Sequence, residues 1–195
     1  MKRIIAGITG ASGCIYAKNF IKHAASMGLD LRIIASSTGE SVFRHETGGT
    51  LADYIKDIKS MPGCSAEIRV YDNSDMFADI ASGSLRTEGM AIVPCSMKTL
   101  ASVANGFSGT LLERAADVTL KENRKLVLAV RETPLSLVHI RNMAAAAEAG
   151  AVILPAAPGF YHNPLTIDDL ADFVTGKIFD QLGIEHGLDT AWKSI

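Results

Sequence analysis

The sequence has few of the features that mark disulfide scaffolds, zinc clusters, membrane proteins or nucleic-acid-binding proteins. It contains three cysteines among 195 residues, an odd number with no Cys-x-x-Cys pair, which argues against a disulfide framework or a zinc cluster. Because the formal net charge is −2 and no dense basic block occurs, nucleic acid is not expected as a partner. The longest apolar stretch, residues 143–157, is interrupted by Glu148, Gly150 and Pro155, so no membrane span is expected.

The N-terminal segment also lacks the long apolar core of a signal peptide. Lys2 and Arg3 precede an apolar run of residues 4–8 that ends at once in glycine and serine. This segment is typical of a first strand, and the expected compartment is the cytoplasm. The chain shows no internal repeat or linker, and 48% of its residues are hydrophobic. Residues 1–195 are therefore expected to form a single domain.

What the sequence does contain is a regular alternation of apolar runs and helical patterns. Strand-length runs lie at 4–8, 31–35, 91–94, 126–130 and 152–154, with a weaker one at 67–71. Helical patterns lie at 15–26, 37–45, 99–105, 111–122, 135–149 and 167–182. Strands that are apolar throughout are typically buried on both faces. The alternation predicts a doubly wound, Rossmann-like α/β fold whose mostly parallel sheet carries helices on both faces.

Small and hydroxyl-bearing residues follow several of the predicted strands, where ligands bind in this kind of fold. Residues 9–13 read Thr-Gly-Ala-Ser-Gly, and 36–39 and 94–99 are similar hydroxyl-rich turns. Such turns let a phosphate approach the backbone N–H groups at a helix N-terminus. They indicate a nucleotide-like ligand, although Ser12, Ser96 and Thr99 could equally serve as helix caps. Neither a dinucleotide fingerprint nor a Walker loop is present.

A few cations and one tyrosine complete the set of candidate ligand contacts. Arg131 follows the strand at 126–130 and suits a phosphate or carboxylate clamp. Lys121 lies on a predicted helix, where a solvated surface role is an equal alternative. Tyr161 lies in a loop made stiff by Pro158 and Pro164. No histidine has metal-ligand spacing to another ligand, so no metal site is expected.

Several longer strings together resemble one known family. GITGASG, VPCSMKTLA, ERAADVTLKE, RKLVLAVRETPLS, AVILPAAPGFYHNP and TIDDL resemble the UbiX flavin prenyltransferases and their relatives in phenolic-acid decarboxylase operons. The resemblance implies an enzyme that joins the dimethylallyl group of dimethylallyl phosphate to N5 and C6 of reduced FMN. The product, prenylated FMN, would serve a separate UbiD-like decarboxylase. The resemblance also implies a homo-oligomer, typically a dodecamer, and we expect residues 183–195 to pack on a neighbouring subunit.

The resemblance further implies the residues of the site. FMN would contact Gly10, Ala11, Ser12, Ser36, Ser96, Met97, Lys98, Thr99 and Arg131. The donor phosphate would be held by Lys121, Arg131, Tyr161 and Lys177, some of them from a neighbouring subunit. Catalytic roles would belong to Ser12, Glu46, Lys121, Glu132 and Tyr161. This chain has Met76 where some relatives have tryptophan, and Lys177 where relatives often have arginine.

The chemistry implied by the resemblance does not require a metal. Asp168 and Asp169 open a predicted helix and have no second copy, unlike the Asp-rich motifs that hold magnesium. Lys121, Arg131 and Lys177 would instead stabilise the departing phosphate as fixed charges. The proton released from C6 would pass to Glu46 or to the retained phosphate, with Ser12 as a relay, and the sequence leaves this choice open.

Other functions on the same fold stay open at this point. An FMN-dependent decarboxylase of cysteine-type substrates would carry a Pro-x-Met-Asn segment, which this sequence lacks. An FMN storage or chaperone module would not need the cations expected around Tyr161. A direct aromatic-acid decarboxylase would act on the acid itself, whereas the resemblance implies that the chain supplies the cofactor. The sequence does not distinguish a monophosphate donor from a pyrophosphate donor.

Overall fold

A six-stranded sheet forms the centre of the molecule in the computed structural model, which describes residues 1–188. The strand order is β3-β2-β1-β4-β5-β6, and every neighbouring pair is parallel. The strands are β1 Arg3–Ile8, β2 Asp30–Ala35, β3 Ile68–Tyr71, β4 Gly89–Cys95, β5 Lys125–Val130 and β6 Val152–Pro155. The prediction of a parallel sheet is confirmed, including the weaker strand at 67–71.

Seven α-helices pack on the two faces of the sheet within residues 1–188. They are α1 Cys14–Ser26, α2 Ser37–Thr47, α3 Leu51–Lys59, α4 Met97–Ala104, α5 Leu111–Lys121, α6 Leu137–Glu148 and α7 Ile167–Leu182. Helices α1, α2, α3 and α7 share one buried cluster with the sheet, and α4, α5 and α6 share the other. This arrangement is the predicted doubly wound fold. No helix in the described part of the chain is both long and apolar enough to cross a bilayer.

The two buried clusters hold the helices to the sheet by apolar packing. On one face, the rings of Phe20 and Phe179 stack with centroids 4.9 Å apart and join α1 to α7. On the other face, Met90 and Leu128 of the sheet pack in the same cluster as Leu112 of α5. Burying one such side chain stabilises the fold by about 1.5–3 kcal/mol.

Helix α3 is a finding that the sequence pattern did not indicate. It begins with a capping box in which the Thr50 hydroxyl accepts the Asp53 N–H at 3.0 Å. Leu51, Ile55 and Ile58 form its buried stripe. Four of its nine residues are charged, so the segment resembles a polar surface loop although its apolar residues recur at helical spacing.

The start of the C-terminal segment packs on its own subunit. Ile184 is buried in the cluster shared with α1 and α7, and the His186 ring lies 5.8 Å from the ring of Phe179. The rest of the tail that we expect to contact a neighbouring subunit, residues 189–195, lies outside the described residues. That contact stays a prediction.

Candidate functional site

The candidate site lies where the strand order reverses, between β1 and β4. The loops that follow these strands are joined by a single buried side chain. The Thr9 hydroxyl donates to the carbonyl of Pro94 at 2.7 Å and accepts the backbone N–H of Ser96 at 2.8 Å. In doubly wound sheets the crevice at this point is the usual ligand site. The sequence offers no signal for this role of Thr9 except its place directly after a strand.

Helix α2 lies against the loop formed by residues 9–13. A Cβ atom added to Gly10 would lie 2.4 Å from Thr38 Cγ2, and one added to Gly39 would lie 2.6 Å from the carbonyl oxygen of Ile8. Both distances are too short for a side chain, so glycine is needed at each position. The first turn of α2 is therefore held directly against the end of β1 and the loop that follows it.

Glu46, near the end of α2, reaches the beginning of α1. Its carboxylate accepts the backbone N–H groups of Cys14 at 2.8 Å and of Gly13 at 3.0 Å. A negative charge is favourable there because the helix N-terminus carries a partial positive charge. Burial alone would raise the pKa of Glu46, but hydrogen bonds from the Ser12 hydroxyl and from the N–H groups of Cys14 and Gly13 hold it below the ordinary value. Glu46 is thus ionised at neutral pH and is a weak base.

Two of the expected flavin contacts act as helix caps. The Ser36 hydroxyl accepts the N–H of Gly39 at 3.0 Å, and the Ser96 hydroxyl accepts the N–H of Thr99 at 3.4 Å. Ser12 does not cap α1, since the N-cap position belongs to Gly13. Ser12 is exposed at the edge of the sheet, where a ligand can reach it.

The other expected contacts on α4 can reach a ligand mainly through the backbone. The side chains of Met97 and Thr99 are buried beneath the helix. The ammonium of Lys98 forms an ion pair with the buried carboxylate of Glu113. Burial alone would raise the pKa of Glu113, but the bond from Lys98 helps to hold it below its ordinary value. What α4 presents to the crevice is therefore the set of N–H groups at its N-terminus.

Arg131 links the end of β5 to the loop after β1. Its Nε donates to the carbonyl of Ser12 at 3.0 Å, and its backbone N–H donates to the carbonyl of Cys95 at 3.3 Å. The guanidinium thus lies beside Ser12. Glu132 is exposed next to it, and its carboxylate accepts the N–H of Thr133 at 3.1 Å.

Tyr161 and Lys177 both lie against Phe173 of α7. The rings of Tyr161 and Phe173 meet edge to face with centroids 5.5 Å apart, and Lys177 Nζ lies 5.8 Å from the centroid of the Phe173 ring. Lys177 Nζ also lies 3.3 Å from a carboxylate oxygen of Asp180. The aromatic ring therefore places the tyrosine and the lysine on one surface.

Lys121 lies far from the other expected phosphate contacts of the same subunit. It is the last residue of α5, and its Nζ lies 2.6 Å from a carboxylate oxygen of Glu122. The chain enters β5 at Lys125, so Lys121 lies at the amino edge of the sheet, whereas Arg131 follows the carboxyl end of the same strand. Six residues of strand separate the two edges by roughly 20 Å. One subunit alone does not bring Lys121 to Arg131.

The buried thiols near the site are not nucleophiles. Burial raises the pKa of Cys95 to about 12. Burial, with a smaller contribution from Glu46, raises the pKa of Cys14 to about 12 as well. Both side chains are therefore protonated at neutral pH, and the interpretation of Cys95 as a packed thiol is confirmed.

A cavity of about 730 Å³ opens beside these loops, beyond the carboxyl ends of β2 and β3. Its lining includes Ser37, Glu40, Tyr71, Asn73 and Thr110. The volume is within the range of small-molecule sites. Its position next to Ser36 gives a nucleotide-sized ligand room to lie along the edge of the sheet.

Comparison with known proteins gives concordant matches over the chain. The model of the Flavoprotein family matches residues 1–179. The flavin prenyltransferase UbiX of Alkalihalophilus pseudofirmus is 46% identical over 192 residues, which cover 98% of this chain and 96% of that protein.

Two solved structures are similar over almost their whole length. One is AnUbiX (PadA1) in complex with FMN and dimethylallyl pyrophosphate, with a TM-score of 0.91 and 36% identity, covering 100% of this chain and 98% of that one. The other is a dodecameric FMN-dependent UbiX-like decarboxylase from Escherichia coli O157:H7, with a TM-score of 0.88 and 36% identity, covering 99% of this chain and 100% of that one.

Proposed function

This chain belongs to the UbiX flavin prenyltransferases, and from that premise we propose that it joins a dimethylallyl group to reduced FMN at the carboxyl edge of its sheet. The family, the α/β fold and the flavin cofactor expected from the sequence are thereby confirmed. The observation that carries the proposal is that Thr9, Glu46 and Arg131 bind the loop after β1 to the loop after β4, to helix α2 and to the end of β5. The chain similar to it at a TM-score of 0.91 was solved with FMN and a dimethylallyl donor.

We place FMN against the loops that follow β1, β2 and β4. The N–H groups at the start of α4 and the glycine-rich segment 10–13 suit its anionic phosphate. Gly10, Ala11, Ser12, Ser36, Ser96, Met97, Lys98, Thr99 and Arg131 are the proposed contacts. Because the side chains of Met97 and Thr99 are buried and that of Lys98 is paired, these three are proposed to act through the backbone.

The donor phosphate is proposed to bind to Arg131, Tyr161 and Lys177 of one subunit and to Lys121 of another. The position of Lys121 at the opposite edge of the sheet supports a shared site, because no rotation of its side chain spans a strand. A homo-oligomer then completes each site. The E. coli relative is a dodecamer, which supports the same assembly here.

The residues of the chain are proposed to hold the donor, to stabilise the developing charge and to orient the group that accepts the proton. Bound reduced FMN supplies the nucleophilic N5 and the ring carbon C6. Arg131, Lys121 and Lys177 stabilise the charge that grows on the phosphate as its bond to carbon breaks. Glu46 is a poor proton acceptor because three donors already bind its carboxylate. We therefore assign the C6 proton to the released phosphate, with Ser12 and Glu132 placed to orient it.

The product is proposed to leave for a separate enzyme. Prenylated FMN would serve a UbiD-like decarboxylase, as the family resemblance implies, and the cytoplasm is the proposed compartment. The test is to add the product released by this chain to such a decarboxylase lacking its cofactor. Decarboxylation should appear with the product and should not appear with FMN alone.

Phosphate release that depends on reduced FMN tests the proposed activity against its alternatives. We expect inorganic phosphate to appear from dimethylallyl monophosphate only when reduced FMN is present. A storage module would bind FMN and release no phosphate. A cysteine-type decarboxylase would instead release carbon dioxide from a peptide that ends in cysteine. A parallel reaction with the pyrophosphate identifies the donor.

Turnover is expected to survive EDTA. Within residues 1–188 no group of three His, Cys, Asp or Glu side chains is placed to hold a metal ion. The Asp168 carboxylate accepts a hydrogen bond from the Asn19 amide, and the Asp169 carboxylate accepts the N–H groups of Leu165 and Thr166. Both carboxylates are thus engaged in hydrogen bonds at the start of α7. The rate of phosphate release should be the same with and without chelator. Loss with EDTA and recovery with magnesium would show that a metal takes part.

Tyr161→Phe and Lys177→Ala are each expected to slow prenyl transfer more than they weaken FMN binding. Each removes a donor to charge that develops on the departing phosphate, which costs about 2–4 kcal/mol in comparable sites. Lys18→Ala is the matched control, because Lys18 Nζ lies 5.2 Å from the ring centroid of Tyr54, away from the site. Measuring FMN affinity and transfer rate separately gives the answer. If both site variants transfer the prenyl group at the parental rate, Tyr161 and Lys177 do not hold the donor phosphate.

A further inference from the structure

Tyr16, on the first turn of α1, lies among the loops of the proposed site, although the proposed prenyl transfer gives it no role. Its ring packs on Gly13, where an added Cβ would lie 2.9 Å from two ring carbons. Its hydroxyl donates to the carbonyl of Ala156 at 3.3 Å, directly after β6. The guanidinium of Arg131 is close enough to affect its ionisation. A single side chain thus contacts both the loop of residues 9–13, here called the flavin loop, and the start of the loop of residues 156–164, here called the donor loop, and it lies within the electrostatic influence of Arg131.

These contacts close a ring of bonds around the site. From Tyr16 the bond to the Ala156 carbonyl leads to β6, and the Ala156 N–H donates to the carbonyl of Val130 at 2.9 Å. Arg131 follows Val130, and its Nε donates to the carbonyl of Ser12 at 3.0 Å. Ser12 stands four residues before Tyr16, which completes the ring. The loop that carries Tyr161 is therefore tied to Arg131 from two directions.

We propose that Tyr16 is a positioning residue that sets the place of the donor loop, residues 156–164, relative to Arg131. This inference rests on the proposed function, since that loop holds the donor phosphate only if Tyr161 does. The flavin loop keeps its own supports in Thr9, Glu46 and Arg131. Loss of the Tyr16 hydroxyl should therefore change donor binding and leave FMN binding as it is.

The hydroxyl is available as a donor throughout the neutral range. Burial raises the pKa of Tyr16, and the opposing influence of Arg131 is smaller. The phenol therefore stays protonated, and the bond to Ala156 does not depend on pH near neutrality. A variant that lacks the hydroxyl should therefore show the same loss of donor affinity, relative to the parent, at about pH 6.5 and at about pH 8, because the phenol of the parent is protonated at both.

The test compares Tyr16→Phe with Tyr54→Phe in the full chain. Tyr54 is a matched control, because its hydroxyl also donates to a backbone carbonyl, that of Lys18 at 2.8 Å, and it lies on α3. For Tyr16→Phe we expect the KM for dimethylallyl monophosphate to rise about three- to tenfold, as the loss of one neutral hydrogen bond gives. FMN affinity should match the parent. Hydrogen–deuterium exchange of residues 156–164 should quicken in Tyr16→Phe and not in Tyr54→Phe.

Three results would overturn the inference. They are a parental KM in Tyr16→Phe, an equal rise of KM in Tyr54→Phe, or a loss of FMN affinity that accounts for the whole defect. Failure of the proposed function looks different, because the parent itself would then release no phosphate. The exchange measurement needs no turnover, so it tests the tie between Tyr16 and the donor loop in either case.

Discussion

Replacing Ser12 with leucine is expected to lower the affinity for FMN by at least about a hundredfold, which corresponds to about 2.8 kcal/mol. A hydrogen bond to a charged group contributes about 1.5–3 kcal/mol, and FMN is proposed to gain such bonds between its phosphate and the N–H groups of residues 10–13. Leucine would place a branched apolar group where the phosphate must approach those N–H groups. Titration of the purified variant with FMN, followed by flavin fluorescence, measures the effect.

Two further variants separate the causes of this loss. Ser12→Ala removes the hydroxyl without adding bulk and should weaken binding less than Ser12→Leu. Ser60→Leu places the same bulk on an exposed serine at the end of α3, away from the crevice, and should bind FMN as the parent does. Parental affinity in Ser12→Leu would move the flavin away from the loop after β1.

Arg131→Ala is expected to lower kcat/KM for the donor by about thirtyfold to a thousandfold, which is the effect of losing about 2–4 kcal/mol of transition-state stabilisation. The guanidinium is the one predicted contact assigned to both ligands, and its Nε holds the Ser12 carbonyl at 3.0 Å. Some loss of FMN affinity is expected as well. Single-turnover measurement at saturating FMN isolates the effect on prenyl transfer.

Comparing Arg131→Lys with Arg131→Ala separates the effect of the positive charge of Arg131 from the effect of its planar shape. Arg131→Lys keeps the positive charge but lacks the planar group that reaches both Ser12 and an anion, so its rate should fall between those of the parent and the alanine variant. Arg69→Ala removes an exposed arginine of edge strand β3 that pairs with Asp79 at 3.4 Å, and it should have no effect. Equal rates of prenyl transfer in Arg131→Ala and the parent would contradict the proposal that Arg131 binds the donor phosphate.

The sheet was predictable from the sequence because its strands are buried on both faces. Uninterrupted apolar runs such as 31–35 and 126–130 leave little alternative to a covered parallel sheet. The same rule placed Ser12, Ser36, Ser96 and Arg131 at one edge, since carboxyl ends of parallel strands share an edge. Helix α3 was missed, although Leu51, Ile55 and Ile58 recur at helical spacing, because four of its nine residues are charged and the segment resembles a surface loop.

The contacts within the site were less predictable, since they join residues distant in the sequence. Glu46 reaches Gly13 because α2 runs along the loop after β1, a course that periodicity does not reveal. Tyr16 is indistinguishable in sequence from a half-buried helix residue, and its role depends on the place of Ala156. Lys121 shares a motif with the other cations, yet strand direction puts it at the opposite edge.

The mass of the flavin recovered after one anaerobic reaction tests the central claim most directly. The parent chain is incubated with reduced FMN and dimethylallyl monophosphate in EDTA, and the extracted flavin is analysed by mass spectrometry. The site described around Ser12 and Arg131 predicts a flavin heavier by one dimethylallyl group replacing hydrogen, and at an early time point much less of this product in Arg131→Ala. Unmodified FMN from the parent, under conditions where the flavin is bound and reduced, would contradict it.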